Sequence, residues 1–207
     1  MEVLQAITGR RSINYFDPEA TLPEETLHKL LELANLAPSS MNLQPWKVIV
    51  VRSPERKKAL RALAFNQPKV EEAAVVLIMV ADPAAVEENL PAVYMKNVEL
   101  GYAKPDTLGN TRSIAQNLYS DPTSLRRTIF AVKNTGLYAM SIMIAARGLG
   151  LETHPMDGFN EDQVKQEFGI PERCLVPMLI AVGNLKPGTK LLPRAYRRKI
   201  ADFVSFE

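Results

Sequence analysis

Ala37-Pro38-Ser39-Ser40-Met41-Asn42-Leu43-Gln44-Pro45-Trp46 is the stretch on which the reading of this chain turns. It lies between an amphipathic helix pattern and an apolar strand pattern. Pro38 and Pro45 stiffen the backbone. Ser39, Ser40, Asn42 and Gln44 supply hydroxyls and amides that both donate and accept hydrogen bonds. That chemistry suits a planar heterocycle with carbonyl and ring-nitrogen edges. Taken alone, Ser-Ser-x-Asn reads as a capped loop between helix and strand.

A second stretch changes the balance. Gly9-Arg10-Arg11-Ser12-Ile13-Asn14-Tyr15-Phe16 ends a short helix over residues 2–9 with two adjacent arginines and a serine. The planar guanidinium fork matches phosphate or carboxylate oxygens.

Working outward, Thr21-Leu-Pro-Glu24 has the form of a capping box. Leu27, Leu30, Leu31 and Ala34 follow helical spacing to about Leu36. Trp46–Val51 reads as a strand and Glu55–Leu63 as a helix. Ala73–Ala81 is a continuous apolar run, which suits a strand buried on both faces. Asp82-Pro83 ends it and starts another helix. Residues 101–123 are broken by Gly101, Pro105, Gly109, Asp121 and Pro122 and read as a partly helical excursion. Ser124–Arg147 is a long helix apolar on nearly every face, so it should be buried centrally or in a subunit interface. Leu151–Pro155 and Leu175–Val182 read as strands, with a helix over Asn160–Phe168 between them. Strands and helices mix without clean alternation, so the class is α+β. The 207 residues fit one domain, 1–207, with 185–207 as a C-terminal arm.

Hydrophobic residues make up 46% and charged residues 23%, as in ordinary globular chains. The net charge of +2, from 25 basic and 23 acidic residues, makes no case for nucleic acid or membrane binding. The basic excess is local, in Lys186, Lys190, Arg194, Arg197, Arg198 and Lys199. One cysteine, Cys174, excludes an intramolecular disulfide. It stands at the head of an apolar strand without a base partner, as a small hydrophobe does. His28 and His154 are too few for a closed zinc site. The first residues lack the basic and apolar runs of a signal peptide. The apolar stretch Leu137–Ala146 is too short to span a bilayer, and a cytoplasmic setting is expected. Gly148-Leu149-Gly150 ends a helix and is no dinucleotide fingerprint.

Arg-Arg-Ser near residue 10 and Pro-Ser-Ser-x-Asn-x-Gln-Pro-Trp near residue 40 together resemble the nitroreductase family of FMN-dependent oxidoreductases. Further matches extend the resemblance over nearly the whole chain. Pro155-Met156-Asp157-Gly158-Phe159 resembles the segment that passes the flavin edge, where a backbone N–H points at N5. Asp157 stands where glutamate is common. Asn66 and Lys69 match an Asn and a Lys three residues apart, and the cation would stabilise negative charge near flavin N1 and O2. Asn134 occupies a position that often faces the phosphate-ribityl region. Two departures stand out. Asn14 replaces a usual lysine or arginine, and the C-terminal basic residues, Lys190 and Arg194 around Pro193, are shifted in register.

The resemblance implies a central, mostly antiparallel sheet flanked by helices, in an intertwined homodimer with two FMN sites at the interface. Arg10, Arg11, Ser12, Asn14, Asn66, Lys69, Asn134, Pro155, Met156, Asp157, Gly158, Lys190 and Arg194 of one chain would face an FMN. Pro38, Ser39, Ser40 and Asn42 would come from the other. It implies ping-pong transfer from NADH or NADPH to a nitroaromatic, quinone or similar small acceptor, with no side chain required as general acid. Alternatives on the same scaffold are flavin chemistry without nicotinamide (dehalogenation or flavin fragmentation) and non-enzymatic flavin binding.

Overall fold

Every residue of the apolar run Val75–Ala81 is buried in the computed structural model, which describes residues 2–207; Met1 of the expected 1–207 domain lies outside them. The four strands are β1 (Trp46–Val51), β2 (Val75–Ala81), β3 (Glu152–Met156) and β4 (Leu175–Gly183). They form one sheet in the order β1-β2-β4-β3, with every neighbouring pair antiparallel. The α+β expectation is met.

Side chains alternate across a strand, so β2 divides the core in two. Val76, Ile78 and Val80 join Phe16, Leu60, Val164 and Leu179 on one face. Val75, Leu77 and Met79 join Leu30, Tyr138, Ile142 and Ile180 on the other. Burying a side chain of this size contributes about 1.5–3 kcal/mol, and helices cover both faces. That is why the run needs no polar alternation.

The helices are α1 (Val3–Gly9), α2 (Glu24–Ala34), α3 (Pro54–Leu63), α4 (Lys69–Glu72), α5 (Ala85–Glu99), α6 (Leu108–Tyr119), α7 (Leu125–Gly148) and α8 (Glu161–Phe168). Three have side-chain N-caps. Ser53 Oγ accepts from the Arg56 N–H, Ser124 Oγ from Arg127 and Asn160 Oδ1 from Gln163. α2 departs from expectation: Pro23 is its N-cap residue with no side-chain cap, so the Thr21–Glu24 capping box does not form. Glu24 is instead drawn to Arg52 and His28. The stretch 101–123 contains a full helix, α6, which packs through Ala115 and Tyr119 against α5 and the start of α7. α7 is long and apolar enough to cross a membrane by length and composition, contrary to the estimate from Leu137–Ala146. Here it is the central core helix, touching all four strands together with α1 and α2. Only one side of it is buried; Leu125, Ile129, Leu137 and Met140 stay exposed.

After β4 the chain is stitched to the N-terminal stretch. Asp17 N–H donates to Asn184 O at 2.9 Å and Lys186 N–H to Tyr15 O at 3.2 Å. Beyond Leu185 the arm has no regular element except a short turn at Ile200–Asp202.

Candidate functional site

Four groups of predicted residues can be placed. The first is an arginine corner where α1 ends. Arg11 Nη2 donates to the carbonyls of Leu192 and Pro193 at 2.9 and 3.1 Å. Arg194 donates back to the carbonyls of Thr8 and Arg10. The two arginines therefore clasp the arm to the end of α1, leaving Arg10 between them. Burial and the neighbouring Arg194 and Arg197 push the Arg10 guanidinium below its ordinary value. Among the described residues, Arg10, Arg11, Lys190 and Arg194 form no ion pair. Crowded cations of this kind favour an anion. Lys190 lies exposed in the arm.

The second group is built on a backbone bridge between Ser12 and Thr153. It sets Asn14 opposite Lys69, and Lys69 Nζ donates to Asn14 Oδ1 at 2.9 Å. Burial lowers the Lys69 ammonium. His154 Nδ1 lies 2.7 Å from Ile13 O. Its pKa is lowered, first by burial and then by Lys69. The four-residue helix α4 delivers Lys69 to this place.

The third group is the turn after β3. Gln67 Nε2 donates to Gly158 O at 2.7 Å. A Cβ at Gly158 would meet that nitrogen at 3.0 Å, with Phe65 at 3.7 Å. Asn66 beside them is exposed. Pro155 is half-buried and Asp157 exposed, whereas the Met156 side chain is buried in the core and leaves only its backbone for a ligand. The sequence pattern assigns Gln67 no role; its position between Asn66 and Lys69 is the signal that could have found it.

The fourth group is the loop Ala37–Trp46. Asn134, fully buried on α7, accepts from the Ser40 N–H at 2.9 Å and donates to Phe130 O at 2.7 Å. Its side chain is committed to holding the loop. Ser39 Oγ accepts from the Gln44 N–H at 2.9 Å. No hydrogen bond joins Pro38–Asn42 to the other three groups among the described residues. Five non-glycine residues have positive φ in these loops: Met41, Asn42 and Gln44 in one, Phe65 and Asn66 in the other. Such conformations cost about 1–3 kcal/mol each and collect at ligand clamps.

The chain matches the family model of the Nitroreductase family over residues 7–184. It is 34% identical over 187 residues to a Bacillus subtilis protein named NAD(P)H nitroreductase YdgI, covering 88% of each chain. To a Thermus thermophilus protein named NADH dehydrogenase it is 33% identical, again covering 88% of each. Among solved structures, the Bacillus subtilis nitroreductase ydfN superposes with a TM-score of 0.91 at 28% identity, covering 99% of this chain and 98% of that one. A nitroreductase of Exiguobacterium sibiricum in complex with FMN gives 0.88 at 29% identity, covering 100% and 98%. With the sheet order, the two polar loops and the arginine corner all in place, the chain belongs to the nitroreductase family.

Proposed function

We propose that this protein is an FMN-dependent oxidoreductase. It takes two electrons from NADH or NADPH and passes them, in a ping-pong sequence, to a small electron-poor acceptor such as a nitroaromatic or a quinone. One observation carries the reading: the stretch Arg10–Asn14 links a corner of arginines that form no ion pair among the described residues to a half-buried lysine, Lys69. The four residue steps from Arg10 to Asn14 span at most roughly 14 Å when extended. Cations at the two ends of so short a strap suit a ligand with a phosphate at one end and an electron-accepting ring at the other. The FMN in the Exiguobacterium structure and the names of the relatives support it.

Bound FMN supplies the electron chemistry; the residues bind, orient and tune. Arg10, with Arg11, Lys190 and Arg194, would hold the phosphate, and Ser12, Asn14 and Asn66 would line the ring and its chain. Lys69 would stabilise negative charge gained by the ring. Pro155, Met156, Asp157 and Gly158 would present backbone to the ring edge, where the lack of a Cβ at Gly158 keeps the approach open.

The site is completed by a second copy of the chain, in a cytoplasmic homodimer. Pro38, Ser39, Ser40 and Asn42 would enter from that copy, with Asn134 fixing their loop from behind. An open groove of about 470 Å³, lined by Leu33, Pro38, Leu137, Met140, Ser141, Ile144 and Ala145, supports this. So do Leu192, Tyr196 and Phe206 of the arm, exposed at 80%, 78% and 91%. Exposed apolar surface of this kind is suited to association.

The test is FMN retention by Arg10→Ala against Arg198→Ala, measured by equilibrium dialysis. Loss of a charge-assisted contact of about 1.5–3 kcal/mol predicts roughly 10- to 100-fold weaker binding for the first variant. Arg198 only stacks on Phe203, in an exposed part of the arm, and its loss should leave FMN affinity unchanged. Equal affinities for the two variants would contradict the phosphate role.

A further inference from the structure

Glu152 is the first residue of β3 and is buried, only 9% exposed. Its Oε1 accepts from Arg147 Nη1. Its Oε2 is buried and accepts no hydrogen bond among the described residues. Arg147 comes from the end of α7, and its guanidinium packs against Gly9 at the end of α1. Arg10 and Arg11 follow at once, and both act on the Glu152 carboxylate through space without an ion-pair contact. Behind Arg10 stand Arg194 and Arg197 of the arm. Across the sheet Glu152 is paired with Gly183, which brings no charge. A buried carboxylate with one unused oxygen thus shares an arginine cluster with the proposed phosphate site. Burial pushes its carboxyl above the ordinary value even though Arg147, Arg10 and Arg11 all pull the other way.

We propose that Glu152 is a proton-accepting counter-charge, so that binding of the phosphate of FMN is coupled to uptake of a proton from solvent onto the free Oε2. The inference rests on the FMN reading above. Without a ligand, the ionised carboxylate partly balances the arginines. A phosphate dianion at Arg10 takes over that balance and places a like charge near Glu152. The like charge favours the neutral acid. No bond other than the new O–H is formed or broken. The sign follows: if the bound form holds the proton more tightly, affinity is highest at low pH and falls as pH rises, by up to about tenfold per pH unit. The phosphate's own second ionisation, near pH 6, acts in the opposite direction. The effect is therefore read above that pH.

The experiment is calorimetric titration of FMN into the flavin-stripped full chain, in buffers of different ionisation enthalpy, at pH values from neutral upward. Wild type should take up a proton fraction that shrinks as pH rises. Glu152→Gln should bind FMN with no uptake, and Glu152→Asp should retain it. Riboflavin, which lacks the phosphate, should give no uptake with wild type, and this arm stands even if the glutamine variant fails to fold. Equal uptake by wild type and Glu152→Gln, equal uptake with riboflavin and FMN, or none in wild type would overturn the proposal. A wild type that binds neither flavin would overturn the FMN reading itself and this inference with it.

Discussion

Lys69 Nζ donates a 2.9 Å hydrogen bond to Oδ1 of Asn14, 55 residues earlier in the chain. The asparagine stands where the family resemblance leads one to expect a cation. It lends the lysine an oxygen partner instead of a second charge. Lys69 is then the one charged group of this pair, and it is already disfavoured by burial.

If Lys69 stabilises the charge gained by the ring, Lys69→Met should lower the flavin midpoint potential. A contact of about 1.5–3 kcal/mol corresponds to roughly 30–60 mV for a two-electron couple. Asn14→Lys adds positive charge beside the same edge and should raise the potential. Spectroelectrochemical titration of the two variants reads both signs, and an unchanged potential in Lys69→Met removes the lysine from this role.

Asn134→Ala should damage fold and ligand binding together. It strips a buried acceptor from the Ser40 N–H and a donor from the Phe130 carbonyl. Leaving such groups unmet costs about 1–3 kcal/mol. Denaturant unfolding should show that loss, and FMN binding should weaken because the Ser39–Ser40 loop is no longer pinned. Normal FMN binding with reduced stability would confine Asn134 to the core.

Two glycines separate site from scaffold. A Cβ at Gly183 would lie 2.9 Å from the backbone nitrogen of Ala74 and 3.1 Å from Phe16. Neither neighbour can step aside, so Gly183→Ala should cost about 1–3 kcal/mol through overpacking. At Gly158 the close neighbour is the far end of Gln67, a movable side chain. Gly158→Ala should leave thermal stability nearly unchanged while weakening FMN binding. Equal melting temperatures for the two variants would refute this division.

Acid stability should depend on Asp82. Its buried carboxylate is bonded to Lys47, Arg173 and the Ala84 N–H. Burial alone would raise its pKa, but the hydrogen bonds from Arg173 and Lys47 win and hold it below the ordinary 3.8, at about 2. A depressed carboxylate contributes stability above its unfolded pKa and loses it as pH falls through the folded one. The window therefore runs from about pH 4 down to about 2, and the contribution is of order 2 kcal/mol. Urea melts of wild type across that window should show the decline, and Asp82→Asn should flatten it while being less stable at neutral pH.

β2 was legible because burial on both faces leaves an unbroken apolar run, Ala73–Ala81. Its first two residues proved to precede β2. α4 was not legible: four residues after Pro68 are too few to show a period, yet they deliver Lys69. α6 was hidden by Gly109 and a weakly apolar face that needs α5 and α7 to complete it. Asn134 was legible as a buried amide needing partners, but no local pattern could say that its partner is the backbone of Ser40, 94 residues away. Arg11 and Arg194 were read from their charge toward a phosphate. Each also gives hydrogen bonds to main-chain carbonyls across the α1–arm seam, a contact set by tertiary path and invisible to spacing. Glu152 and Gln67 went unremarked because a lone acid or amide beside a strand carries no signature until its neighbours are known.

Electron transfer from nicotinamide to bound FMN is read directly by recording the absorbance spectrum of the purified protein loaded with FMN, then adding NADH or NADPH without oxygen. The flavin bands should bleach on addition of the nicotinamide and return when a quinone is admitted. Flavin bands that persist with both nicotinamides, or a protein that takes up no FMN, would contradict the proposed function.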